Sequence, residues 1–446
     1  MRNSHISLRS RGLLLAAAAV VGGTLTACGS GDDSKAAADD TPSAAAASKS
    51  AAASRPVYDP PAKFDTTGAP MPEGLTDNRT DLQHRVIRSL PVTLHGGTAY
   101  AAAFDHVQAV DTATGDITAT IEPEGTAAVE GTGITHDAGP PALVTTGDKS
   151  TLLTPFLVRQ AGTGTQAAHQ AVEMAVSDAD TAKVLWRMTL RLPEWGDDTL
   201  TALTVHAVGA DGNIGVVTAH DSYDNAATYG IDLVSHRQVW SQDGFAAAGI
   251  ADGTAVGSGG NRTGEGRALG YDAATGKRLW QGAENIDPDV TTAGPHYAVA
   301  RAKDFKTDEQ TLLLVDPATG ATKHRLPAEL GESTCGYDEK STIVCHGEST
   351  QTDEPVAYGL DATSGKVLWK LPDAQSDRIA PEVTSAWHGR VYGETENGPV
   401  TLDARTGEDA PTSPGIAPVL VNGSAALALK QVDGWKYNLF VYAATG

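Results

Sequence analysis

Asp272-Ala-Ala-Thr-Gly-Lys-Arg-Leu-Trp280 recurs as Asp361-Ala-Thr-Ser-Gly-Lys-Val-Leu-Trp369, and this shared phrase decides how the chain folds. Weaker copies begin at Asp111, Asp178, Asp232, Asp316 and Asp403, and the chain closes on a partial copy, Ala444-Thr445-Gly446. From Asp178 onward the anchors stand 54, 40, 44, 45 and 42 residues apart, and Tyr442 takes the Asp place 39 residues after Asp403. The gap from Asp111 to Asp178 is 67 residues and holds an insertion. A period of roughly 40–45 residues is the size of one four-stranded propeller blade.

Chemically the phrase is a hairpin turn. Asp accepts hydrogen bonds from backbone N–H groups just downstream, and Gly four residues later supplies the positive φ that closes the turn. Gly115, Gly276, Gly320, Gly365, Gly407 and Gly446 hold that place, while Ala182 and His236 replace it in two copies. His tolerates the left-handed region better than most residues; Ala182 is expected to be strained or differently turned. Strand-type apolar runs precede the anchors, such as Leu312-Leu-Leu-Val315 and Val400-Thr-Leu402. The ninth place carries Trp186, Trp240, Trp280 and Trp369, flat rings suited to bury ~150–250 Å² between blades. Ala119, His324 and Pro411 stand there in the other copies, where looser contacts are expected.

On these residues the chain resembles the pyrroloquinoline-quinone-type β-propellers, whose units end in the same phrase and dock through its Trp. The resemblance covers nearly everything from about residue 82 to Gly446 and implies an all-β fold of four-stranded antiparallel blades across residues 63–446. Eight turn signals imply eight blades, with seven as the alternative because the first two units are the most degraded. The last copy lacks an outer strand, and 82–90 is a suitable strand to supply it. That would join the chain ends and remove a sheet edge.

Residues 1–27 carry Arg2, Arg9 and Arg11 ahead of an apolar run, Leu13 to Val21, too short to span a bilayer. Leu25-Thr26-Ala27-Cys28 resembles the bacterial lipobox, which implies a diacylated Cys28 as the mature N-terminus. Residues 28–62, rich in Ala, Ser, Asp and Pro, are expected to be a flexible tether. These features predict a lipid-anchored protein on the extracytoplasmic face of the cell membrane. The formal charge is −22 in all and −25 without the three leader arginines, which argues against nucleic acid as a partner and against basic adhesion to anionic lipid.

Cys335 and Cys345 flank a turn-rich stretch and are expected to pair as a structural disulfide, which an exported compartment permits. Enzyme signatures are missing from the sequence: it has no His-Glu-x-x-His, no Gly-x-Ser-x-Gly and no adjacent Cys-Cys pair of the kind that covers the cofactor in quinoprotein dehydrogenases. The Gly-rich run Gly257–Gly266 lies between strands rather than ahead of a helix, so it reads as a loop and not a phosphate cradle.

The expectation is therefore a monomeric, non-enzymatic scaffold without cofactor or metal, which binds another exported or membrane protein. The resemblance to the propeller lipoprotein of outer-membrane β-barrel assembly machines supports a scaffold role and no more. The alternative is a propeller that holds quinone or another small ligand, as a dehydrogenase-like enzyme or a sensor. The insertion at 122–177 is the first place to look for a partner surface, and Trp195, expected in an exposed loop, suits either packing or partner binding.

Overall fold

The computed structural model describes residues 56–72, 75, 80–81, 86–87, 90–128, 137–197, 203–221, 225–259, 266–282, 286–303, 309–433 and 436–446. Eight antiparallel blades form a ring, so the fold is an all-β, eight-bladed propeller. Blade 1 shows the plan: Val92–His95, Thr98–Ala102, Val107–Asp111 and Ile117–Ile121 pair in sequence order. Blades 2 to 7 span 142–191, 203–243, 246–281, 286–325, 334–371 and 382–403, and blade 8 begins at Leu420–Val421. First strands of successive blades approach one another and so surround the axis, while fourth strands form the rim.

Every repeat anchor sits in the turn between third and fourth strands. Asp111, Asp178, Asp232, Asp272, Asp316, Asp361 and Asp403 each accept a backbone N–H from two or three residues downstream through Oδ1, at 2.8–3.2 Å. Gly115, Gly276, Gly320, Gly365 and Gly407 take φ between +67° and +77°. Ala182 keeps the same turn at φ +59° rather than adopting another, and His236 sits at +57°. A Cβ costs energy in this left-handed region, so the Ala182 turn carries strain.

The tryptophans dock blades as the repeat implies. Trp240, Trp280 and Trp369 are buried and donate through Nε1 to the carbonyls of Ala273, Pro317 and Ala404, each one residue past the next blade's anchor. Glycines flank each ring. A Cβ on Gly270 would lie 2.1 Å from the Trp280 indole, and one on Gly320 would lie 2.6 Å from its other face. Trp186 is different: Val176 stands opposite it and it stacks on His236 at 4.3 Å, only partly buried.

Blades without Trp are not left loose, contrary to the sequence expectation. His324 of blade 5 lies against Gly365 of blade 6, and Ala119 packs in the same cluster as Ala182. The missing hydrogen bond comes from tyrosine: Tyr100 donates to Ala179 O at 2.6 Å and Tyr297 to Thr363 O at 3.1 Å. Tyr392 does the same toward Pro61 O at 2.7 Å. Burial pushes the Tyr100 hydroxyl up to about 12, so it stays a donor.

Two boundaries differ from expectation. The strand on the outer edge of blade 8 is Ala69–Pro70, paired with Val441 and Phe440, whereas Thr80–Asp81 and Val86–Ile87 pair with each other. Most of 82–90 lies outside the described residues. The tether also ends sooner, because Tyr58 N donates to Gly423 O and Phe64 N to Pro414 O. Residues 58–64 hold backbone bonds that a free linker would give to water. Blade 7 has three strands, and the bridge Leu402–Asp409 stands in for its fourth.

Cys335 and Cys345 oppose one another on the first two strands of blade 6 and are joined by a disulfide. Removing it in a Cys335→Ser, Cys345→Ser double variant is expected to lower stability by about 2–3 kcal/mol, from the loop entropy restored to the unfolded chain. Urea unfolding of the two proteins side by side measures it; equal midpoints and slopes would refute it.

Candidate interaction site

The insertion after blade 1 is absorbed mainly by blade 2, whose second and third strands, Lys149–Gln160 and His169–Asp178, run to 12 and 10 residues. Strands of this length carry the hairpin tip beyond the adjacent blades' pairing, and Thr126–Ala127 pairs with the extended part. A buried ion pair fixes that arrangement. Glu173, with 5% of its side chain exposed, accepts from Arg187 Nη1 at 2.7 Å and from the N–H groups of Glu124 and Gly125 at 2.8 Å. Arg187 Nη2 donates to Glu122 O at 2.7 Å. Three charge-assisted hydrogen bonds thus hold residues 122–125 against the blade, and the Arg187–Glu173 pair fixes the two side chains that make them.

Where blade 2 gives way to blade 3 the chain makes a short 3₁₀ turn, Glu194–Asp197, above a cleft of about 390 Å³. Arg191, Leu192, Pro193, Glu194 and Asp197 form one wall. Ala227 and Tyr229 on the third strand of blade 3, with Ser241 and Asp243 on its fourth, form the other. Hydrogen bonds set the walls. Tyr229 OH donates to Arg191 O at 2.9 Å, Trp195 Nε1 to Asp243 Oδ1 at 3.0 Å, and Gln170 N to Asp197 Oδ1 at 2.8 Å. Burial, then the Asp243 charge, raises the Tyr229 hydroxyl well above its ordinary range, so it remains protonated. Three carboxylates beside one guanidinium and an aromatic floor suit polar, cationic or aromatic groups of a partner, the chemistry enriched at protein interfaces.

The structure does not gather the repeat anchors into one site. It spreads them over the blade seams, where they are structural. Trp195, expected in an exposed loop, is half-buried and braces the cleft. Sequence reasoning did not find Tyr229, Asp243 or Arg191, and no local signal marks them. Trp387 packs at the edge of the blade 7–8 cluster, stacked on His388 at 3.8 Å. Cys28, Trp435 and residues 222–224 and 260–265 lie outside the described residues.

Among the described residues no group of three or more His, Cys, Asp or Glu is placed to hold a metal ion. His346, adjacent to the disulfide, is desolvated to about 4, and His206 is held at about 4 by burial and then by His220 beside it. Both rings are neutral in the folded protein where the unfolded chain, at about 6.5, takes up protons. Their contribution is therefore fully present above pH 6.5 and is lost as pH falls from about 6.5 to about 4. Melting temperature is expected to drop over that interval, and less steeply in a His346→Asn variant; parallel profiles would refute the assignment.

A family model described as that of the outer membrane protein assembly factor BamB matches residues 170–327, which run from the third strand of blade 2 to just past blade 5. The cleft lies inside that span. Among solved structures, a europium-containing methanol dehydrogenase is similar at 13% identity and a TM-score of 0.42, over 86% of this chain and 93% of that one. No curated protein matches the chain.

Proposed function

We propose that the chain is a lipid-anchored extracytoplasmic propeller that acts as a non-enzymatic scaffold, and that the cleft between blades 2 and 3 receives a segment of another exported or membrane protein. The cleft carries this reading. It sits where blade 2 departs from the repeat, it is lined by Arg191, Tyr229 and three carboxylates, and it lies within the span matched by an assembly-factor family. Aromatic and Arg side chains are what interface hot spots are made of, and connections between rigid strands are where propellers present them.

Two measurements test it. A photo-crosslinking residue at Ser241 in membrane preparations is expected to trap a discrete partner, and Asp243→Arg is expected to abolish the adduct. Adducts that survive the charge reversal would overturn the cleft assignment. Cys28→Ala is expected to move the protein from the membrane to the soluble fraction, and a variant that stays in the membrane would remove the lipid anchor from the reading. A rise in melting temperature with pyrroloquinoline quinone and calcium would favour a ligand-binding channel instead.

A further inference from the structure

The ring has two chemically different ends. In each blade the turn between the first and second strands lies at the same end as the anchor turn, since Thr112 N bonds Gly97 O, Ala273 N bonds Gly253 O and Ala404 N bonds Gly389 O. Loops between second and third strands, together with the connections between blades, lie at the other. The cleft belongs to that second end, because Arg191 and Asp243 close their strands away from the anchor turns.

The N-terminal segment enters at the first end and beside the axis. Tyr58 N donates to Gly423 O in the first turn of blade 8. Asp59 pairs with His388 in the first turn of blade 7, and His388 Nε2 stands 3.8 Å from Glu339 in that of blade 6. The strap therefore crosses the inner turns of blades 8 and 7, the latter standing beside that of blade 6, before its Ala69–Pro70 becomes a strand.

Exposed aliphatic side chains collect at the same end. Leu185, Val239, Leu279 and Leu368 occupy one repeat position, seven residues past the anchor at the start of the outer strand, and each is 37–48% exposed. Val234, in an anchor turn, and Val57, in the strap, are more exposed still. Among the described residues, the exposed large apolar side chains found at the other end are Leu143, Ile379 and Val432. Lys183, Lys277 and Lys366 stand two residues before three of the four rim aliphatics, and their long stems suit an interface between lipid headgroups and water.

We infer that the anchor-turn end of the ring is the membrane-apposed face, and that the cleft end with the blade 2 hairpin tip faces away from the bilayer. This rests on the reading of Cys28 as the lipid anchor. The strap sets the point where the anchored segment leaves the ring, and the aliphatic and lysine rim lies around that point.

The test uses full-length lipidated protein on vesicles of phosphatidylcholine with a minority of phosphatidylglycerol, doped with an energy-transfer acceptor lipid. A single donor dye is placed at Val234→Cys or at Ala167→Cys, an exposed position in the hairpin tip. Cys335 and Cys345 are paired and Cys28 is acylated, so the introduced thiol takes the label. Severalfold higher transfer from position 234 than from 167 is expected. Equal or reversed transfer from vesicle-bound protein would overturn the orientation while leaving the anchor intact. Protein that fails to bind vesicles would instead overturn the anchor reading and, with it, this one.

Discussion

Trp280→Ala is expected to lower the unfolding free energy by about 3–5 kcal/mol, the range for deleting a large buried aromatic. The ring lies between Gly270 and Gly320, where even a Cβ would be too close, so neither side has an atom that moves in to fill the space. The deletion also leaves the buried Pro317 carbonyl, now paired at 2.6 Å, without its donor. Trp186→Ala is expected to cost less, about 1–2 kcal/mol, because that ring is partly exposed and rests on His236 rather than between glycines. Denaturant unfolding of both variants decides the matter. If Trp186→Ala costs as much as Trp280→Ala, the clasp between glycines is not what makes the seam strong.

The same contrast shows what the sequence discloses and why. Asp and Gly at fixed offsets specify a local turn, and Trp at a third offset specifies a seam, so blade number and docking were readable at the eight turn signals. Compensation was harder to see. Tyr100 and Tyr392 each stand eleven residues before an anchor, in the two blades whose ninth place holds Ala119 or Pro411. That offset was present in the chain, but its meaning depends on which strand faces the next blade. The closing strand was misplaced because Ala69–Pro70 is two residues long and owes its pairing to the partner edge rather than to its own pattern. The cleft was out of reach for a related reason. Arg191, Tyr229 and Asp243 lie on different strands of two blades, and only the seam brings them together.

Glu173→Ala is expected to be the other severe substitution, at about 3–5 kcal/mol, because it breaks a buried pair from one side only. Arg187, 18% exposed, would keep its charge and lose its closest carboxylate, leaving Glu124 as an exposed partner at 3.6 Å. The N–H groups of Glu124 and Gly125 would lose their acceptors together. Glu173→Gln is expected to be milder, since one amide oxygen still accepts, although its NH₂ then faces donors. Loss of the clamp also has a local signature that a general loss of stability lacks. Residues 122–125 are held to blade 2 mainly from Glu173 and Arg187, so proteolysis under native conditions is expected to reach this segment in Glu173→Ala before the ring unfolds. Cleavage there at the wild-type rate would show that strand pairing at Thr126–Ala127 holds the segment without the ion pair. Paired with the crosslinking at Ser241 proposed above, the variant also separates two roles of the insertion: an adduct retained from the wild type would make it a structural brace for blade 2, and one lost would make it part of the proposed partner surface.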